Sequence, residues 1–190
     1  MNNPVQTLIR PLSYQSRLDK RDADVLDLVV IHCTELPDLA TAREYGERIR
    51  YETSGTGNSG HFYIDRDGRI ECWVEPLRVA HHVRHYNRRS IGIELVNRGR
   101  WPDWYAAADQ QMTEPYTAEQ TDALRGLLAG LTDQFPGLQW IAGHEDLDRG
   151  SVPASDVAAE QVRRKCDPGP LFPWGEILEG TALRRLKPEQ

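Results

Sequence analysis

Apolar positions along the chain fall into short β-branched runs and one long helical stripe. Val25-Leu-Asp-Leu-Val-Val-Ile31 predicts a buried strand that ends at His32. A helix is expected over about 39–52, where Tyr45 and Ile49 lie one turn apart. Ser54-Gly-Thr-Gly-Asn-Ser-Gly60 is a glycine-rich loop. The next stretch, His61-Phe-Tyr-Ile64, Asp65-Arg-Asp-Gly68 and Arg69-Ile-Glu-Cys-Trp-Val74, predicts a hairpin, because Asp-Gly tolerates the positive φ of a tight turn. In Ser90-Ile-Gly-Ile-Glu-Leu-Val96, Ile91, Ile93 and Leu95 share one strand face and Glu94 takes the other.

The strongest helical signal covers about 117–135. Thr117 and Gln120 make a capping-box pattern, and Leu124, Leu127, Leu128, Leu131 and Phe135 then form a core-facing stripe. Gln139-Trp-Ile-Ala142 predicts a strand running into Gly143-His144, and the polar stretch 145–166 reads as a long loop. Strands and helices mixed in this way indicate a single α/β domain with a central mixed β-sheet flanked by helices. Its core is expected over about 25–178, with 1–24 and 179–190 as terminal extensions.

The 190 residues are 39% hydrophobic and 27% charged, enough to bury one ordinary core. A net charge of −6 argues against a nucleic-acid binder that works by neutralising phosphates. No apolar run reaches the ~18–20 residues of a membrane span. Residues 1–10 carry neither a basic nor an apolar leader region. Cys33, Cys72 and Cys166 are too few and too scattered for a disulfide framework, so a reducing cytoplasm is the expected compartment, with a periplasmic or exported location the alternative if a leader is missing or unconventional.

Six histidines are present, and two stand out: His32 and His144 each sit just past an apolar strand, where open α/β sheets carry their ligand-binding groups. Neither belongs to an H-E-x-x-H helix. A third metal ligand would come from the rigid turn Lys165-Cys-Asp-Pro-Gly-Pro170.

Five segments carry a resemblance. Val29-Val-Ile-His-Cys-Thr34, Gly60-His-Phe-Tyr-Ile-Asp-Arg-Asp-Gly68, Ser90-Ile-Gly-Ile-Glu-Leu95, Gly143-His-Glu-Asp-Leu147 and Arg164-Lys-Cys-Asp-Pro-Gly-Pro170 resemble, in order, the type-2 N-acetylmuramoyl-L-alanine amidases. These are AmpD-like zinc hydrolases of peptidoglycan, related to the peptidoglycan recognition proteins. The resemblance implies one catalytic Zn²⁺ at the strand ends, held by His32, His144 and Asp167, with a fourth position left open. It implies Glu94 as the proton acceptor for the attacking water and Lys165 as the oxyanion partner. His82 matches a histidine that contacts substrate in the family. Related phage enzymes and recognition proteins carry cysteine at the third ligand position, but here that position is Asp167 and Cys166 is its neighbour.

The departures from the family pattern are local. The chain reads His81-His82-Val83-Arg84 where Trp-His-Ala-Gly is common, and Gly60 stands where phage-type members have a catalytic tyrosine. The His144–Asp167 interval is longer than in compact members, with the extra residues around 151–163. Arg84, Arg88, Arg89, Arg98 and Arg100 form a basic stretch suited to stem-peptide carboxylates, with Arg88 taken as a substrate contact. Peptidoglycan or muropeptide fragments are the expected partners. The implied activity is hydrolysis of the amide between N-acetylmuramic acid and L-alanine. A non-catalytic peptidoglycan-binding module and a cysteine hydrolase are the rival readings.

Overall fold

The computed structural model describes residues 6–187; residues 1–5, part of the stretch read for a leader, and 188–190 lie outside the described residues. The strands are β1 (Thr7–Ile9), β2 (Leu28–Cys33), β3 (Phe62–Ile64), β4 (Ile70–Cys72), β5 (Ser90–Leu95), β6 (Trp140–Gly143), β7 (Ser151–Pro153), β8 (Gln161–Arg163) and β9 (Arg184–Arg185). The helices are α1 (Leu39–Gly46), α2 (Ala118–Gln134), α3 (His144–Leu147) and α4 (Trp174–Glu179). Seven strands form one sheet in the order β1-β4-β3-β5-β2-β6-β9. Only the β3–β4 pair is antiparallel, so the sheet is mixed, as expected. No helix among the described residues is long and apolar enough to cross a membrane.

β2 lies at the centre, and its six residues are all buried, which explains why it reads as a continuous apolar run. On one face, Val29 and Ile31 join Ile91, Ile93 and Leu95 of β5 against Leu124, Leu127, Leu128 and Leu131 of α2. That helix has the capping box the sequence predicts: Thr117 Oγ1 accepts from the Gln120 amide N–H, and Gln120 Oε1 accepts from the Thr117 N–H. The Gln120 side-chain amide also donates to the Val96 carbonyl at 2.9 Å, fixing the helix start to the end of β5. The β3–β4 turn is closed by Gly68 at φ +80°, the left-handed conformation that glycine adopts without strain.

Three expectations need correction. Helix α1 ends at Gly46 rather than near residue 52. The Gly46 carbonyl, which would bond the Arg50 N–H in a longer helix, accepts from the buried Tyr14 hydroxyl at 2.8 Å, and the Arg50 N–H goes to the Thr56 carbonyl. The stretch 145–166 is not a plain loop: it holds α3 and the antiparallel hairpin β7–β8, with Val162 and Ala154 buried. Finally, the flanking segments are part of the fold. β1 pairs with β4, β9 pairs with β6, and Leu12, Tyr14 and Leu18 pack in a second apolar cluster around Trp73.

Candidate active site

The opposite face of the sheet carries the polar groups. Because side chains alternate along a strand, placing Val29 and Ile31 on the α2 face puts His32 on the other. Parallel pairing then sets His32 directly beside Glu94 and Ile31 beside Gly143, so that His144 begins α3 next to His32. The Gly143 N–H donates to Asp146 Oδ2 at 2.9 Å, and this short cap fixes the start of α3. Asp167 arrives on the 164–170 turn, where its carbonyl accepts from the Glu145 N–H at 2.8 Å and so ties the third group to the second.

The result is a compact triad of buried side chains. His32 Nδ1 lies 3.0 Å from His144 Nδ1 and 3.0 Å from Asp167 Oδ2, and His144 Nδ1 lies 3.1 Å from the same oxygen. Ligands at tetrahedral zinc distances sit about 3.3 Å apart, so the three atoms fit one such ion. Two further observations favour that fit. Asp167 Oδ1 is buried with no hydrogen-bond partner, and two imidazoles with a carboxylate are a usual donor set for catalytic zinc. Cys166 is half-buried and stands outside this cluster.

Burial, partly offset by the Asp167 carboxylate, lowers the His32 imidazole to about 4. Asp167 behaves oppositely. Burial alone would raise its carboxyl, but the charges of His144 and Lys165 and the close approach of both imidazoles outweigh it and hold the pKa well below the usual range. Glu94 borders the triad, with Oε1 at 4.0 Å from His32 Nδ1. Its burial, followed by the charge of Asp167, pushes it well above an ordinary carboxyl. Lys165 is half-buried; burial alone would lower it, but Asp167, Glu35 and Glu94 together raise it. A carboxyl of raised pKa and an ammonium thus face one pocket beside three metal donors.

Gly60 lies against Glu94: a Cβ there would stand 2.8 Å from Glu94 Cγ and 3.3 Å from the Gly92 carbonyl oxygen. The position where phage-type members carry a tyrosine is therefore crowded by the glutamate itself. His82 packs under His32, with Nδ1 3.0 Å from His32 Nε2 and Nε2 3.2 Å from Ser90 Oγ. Burial, then the neighbouring histidines and Arg21, lowers its pKa well below the usual value and keeps the ring neutral.

A cleft of about 680 Å³ opens over the triad and is lined by Glu94, Lys165, Arg50, Arg84 and Tyr105. Arg88, expected at the substrate, is exposed on the turn Asn87–Arg89 and does not line this cleft. Arg89 faces away too and pairs with Asp27. Arg100 is fully buried, held by both carboxylate oxygens of Glu35. This clamp was invisible in the sequence because its partners are 65 residues apart. Trp101 and Trp104 pack with Tyr45 against the second apolar cluster, and Trp104 shares the cleft wall with Tyr105. The β7–β8 hairpin supports that wall, since the Ser155 N–H donates to the Tyr105 carbonyl and Asp156 accepts from the Ala107 N–H.

Comparison with known proteins follows the same lines. The chain is 26% identical over 135 residues to the endolysin of Escherichia phage T7, covering 68% of this chain and 82% of that one. The structure of N-acetylmuramoyl-L-alanine amidase LysC from Clostridium intestinale superposes with a TM-score of 0.65 at 20% identity, over 94% of this chain and 99% of that one. The N-acetylmuramyl-L-alanine amidase AmiD of E. coli, solved with the substrate anhydro-N-acetylmuramic acid-L-Ala-D-gamma-Glu-L-Lys, superposes at 0.62 and 24% identity, over 82% of this chain and 57% of that one. Residues 21–170, most of the chain and every group of the triad, match one family, and the chain therefore belongs to the N-acetylmuramoyl-L-alanine amidases.

Proposed function

We propose that this peptidoglycan amidase hydrolyses the amide between N-acetylmuramic acid and L-alanine with one zinc ion held by His32, His144 and Asp167, Glu94 moving the proton and Lys165 facing the oxyanion. The observation that carries this reading is the convergence of three buried donor atoms within 3.1 Å of one another, with Glu94 and Lys165 on the same pocket. Zinc bound there would supply Lewis-acid polarisation of water and carbonyl, and its charge would offset that of Asp167 on Glu94.

The remaining chemistry belongs to the chain. Glu94, on the rim of the triad, accepts a proton from the attacking water and returns it to the leaving amine of L-alanine. Lys165, cationic because three carboxylates surround it, stabilises the negative oxygen of the tetrahedral state. Arg84 and Arg50 line the cleft and take the role first expected for Arg88, pairing with stem-peptide carboxylates. Peptidoglycan or muropeptide fragments fit this cleft as substrate. All three ligand positions are filled, so a binding-only module is not favoured. Three free thiols, two of them buried, support a reducing compartment, the cytoplasm.

The test pairs metal analysis with turnover. E94Q should keep its zinc while kcat falls by about 10² to 10⁴. K165A should keep zinc and lose about 10² to 10³. Mass spectrometry of digested muropeptides should show peptides released with a free L-alanine amino group. Near-normal turnover in zinc-loaded E94Q would refute the assignment of the base.

A further inference from the structure

A metal-ligating imidazole binds through one ring nitrogen, and the partner of the other nitrogen decides which tautomer is present. For His32 that partner is His82. His32 Nδ1 points into the triad, while His32 Nε2 lies 3.0 Å from His82 Nδ1. The two rings meet edge to face with centroids 5.1 Å apart.

The direction of this hydrogen bond follows from the groups behind it. The Ser90 hydroxyl donates to the Tyr86 carbonyl at 2.8 Å, so its single proton is committed. Towards His82 Nε2, at 3.2 Å, Ser90 Oγ can only accept. A neutral His82 therefore carries its proton on Nε2 and presents a lone pair at Nδ1. His32 must donate from Nε2, which leaves its Nδ1 bare and aimed at the triad.

Local packing leaves His82 little freedom to reverse this arrangement. Its backbone N–H and that of Val83 both donate to Asn87 Oδ1, at 3.0 and 2.7 Å. Its ring lies flat against Gly92, where a Cβ would stand only 2.6 Å from Nδ1. Behind it the ring of His61, itself receiving the Gly92 N–H at Nδ1, meets His82 edge to face with centroids 5.4 Å apart.

We infer that His82 is a positioning residue: the chain Tyr86 carbonyl, Ser90 hydroxyl, His82 imidazole fixes His32 as its Nε2–H tautomer and so sets the affinity of the zinc site. Both ring nitrogens of His82 are then used within the protein, and neither is left for a substrate. This inference rests on His32 being a zinc ligand, as proposed above.

The experiment measures zinc affinity by titrating the zinc-loaded protein with a chromophoric chelator. H82L removes the acceptor for His32 and should weaken zinc binding by about 10- to 100-fold. H82N keeps an acceptor oxygen near the Nδ1 position and should restore most of the loss. S90A removes the anchor for His82 Nε2–H and should shift affinity in the same direction by a smaller factor. At saturating zinc, H82L should retain the wild-type KM, and a ring N–H resonance of His32 that resists solvent exchange in the wild type and H82N should be lost in H82L. Unchanged zinc affinity in both H82L and S90A, with KM raised in H82L, would overturn the relay and return His82 to substrate binding. A wild-type protein that takes up no zinc would overturn the metal site itself and this inference with it.

Discussion

Replacing Arg100 by methionine tests how the ligand turn is held. The Arg100 side chain is 1% exposed and that of Glu35 8%, and they pair through two bonds of 2.7 and 2.8 Å. Arg100 Nη1 also donates to the Arg163 carbonyl at 2.8 Å, just ahead of Lys165 and Asp167. Methionine keeps most of the volume but leaves the Glu35 carboxylate buried without its counter-charge. Breaking one side of a buried pair costs about 3–5 kcal/mol. For a domain of this size that corresponds to a fall in melting temperature of roughly 6–20 °C. Urea unfolding with a chelator present isolates this effect from metal binding. The double variant E35L/R100M, which removes both charges, should recover much of the loss. A change below about 1 kcal/mol in R100M, or a double variant as weak as the single one, would refute the clamp.

Two further perturbations probe the site and its surroundings. G60A puts a Cβ 2.8 Å from Glu94 Cγ, with backbone on the other side, so Glu94 must move. A displacement of about 1 Å should cost on the order of 10²-fold in kcat with zinc content unchanged, and full activity in G60A would show that Glu94 position is not critical. Burial, followed by the charge of Arg21, lowers His61 from 6.5 to about 3. Between those values the unfolded chain binds a proton that the folded chain refuses, so this stability is present above pH 6.5 and is lost as pH falls towards 3. In metal-free protein, H61Q should therefore lose about 1.4 kcal/mol less per pH unit between pH 6 and 4 than the wild type does. Parallel urea midpoints for the two proteins across that range would contradict a buried neutral His61.

Much of the fold could be read from local patterns. The capping box and leucine stripe of α2 and the Asp-Gly turn between β3 and β4 are signals carried within a few residues, and each formed as expected. The strand that carries His32 and the one that leads into His144 were legible for the same reason, although the first runs Leu28–Cys33 rather than from Val25 to His32, because Ala23–Val25 form a helical turn. What local pattern could not show depends on partners far along the chain. β1 and β9 have three and two residues, and each exists only because a strand edge waits for it. Helix α1 stops because Tyr14, 32 residues earlier, takes its last carbonyl. The β7–β8 hairpin has three-residue strands with a single buried valine, too short for an alternating pattern to stand out. At the site, motif order pointed to His32, His144 and Asp167, which the fold brings together. The basic stretch misled at Arg88 because residue type alone does not say which arginine faces the cleft. The link between His82 and His32 spans 50 residues and two ring nitrogens, and no spacing in the sequence encodes it.

The central claim is that Asp167, together with His32 and His144, binds the zinc on which the amidase depends. Metal analysis of D167A and C166S, purified alongside the wild type, tests it directly. The account predicts about one zinc per chain in the wild type and in C166S, both active, and a large loss of zinc with no amidase activity in D167A. Full zinc occupancy in D167A, or its loss in C166S, would contradict it.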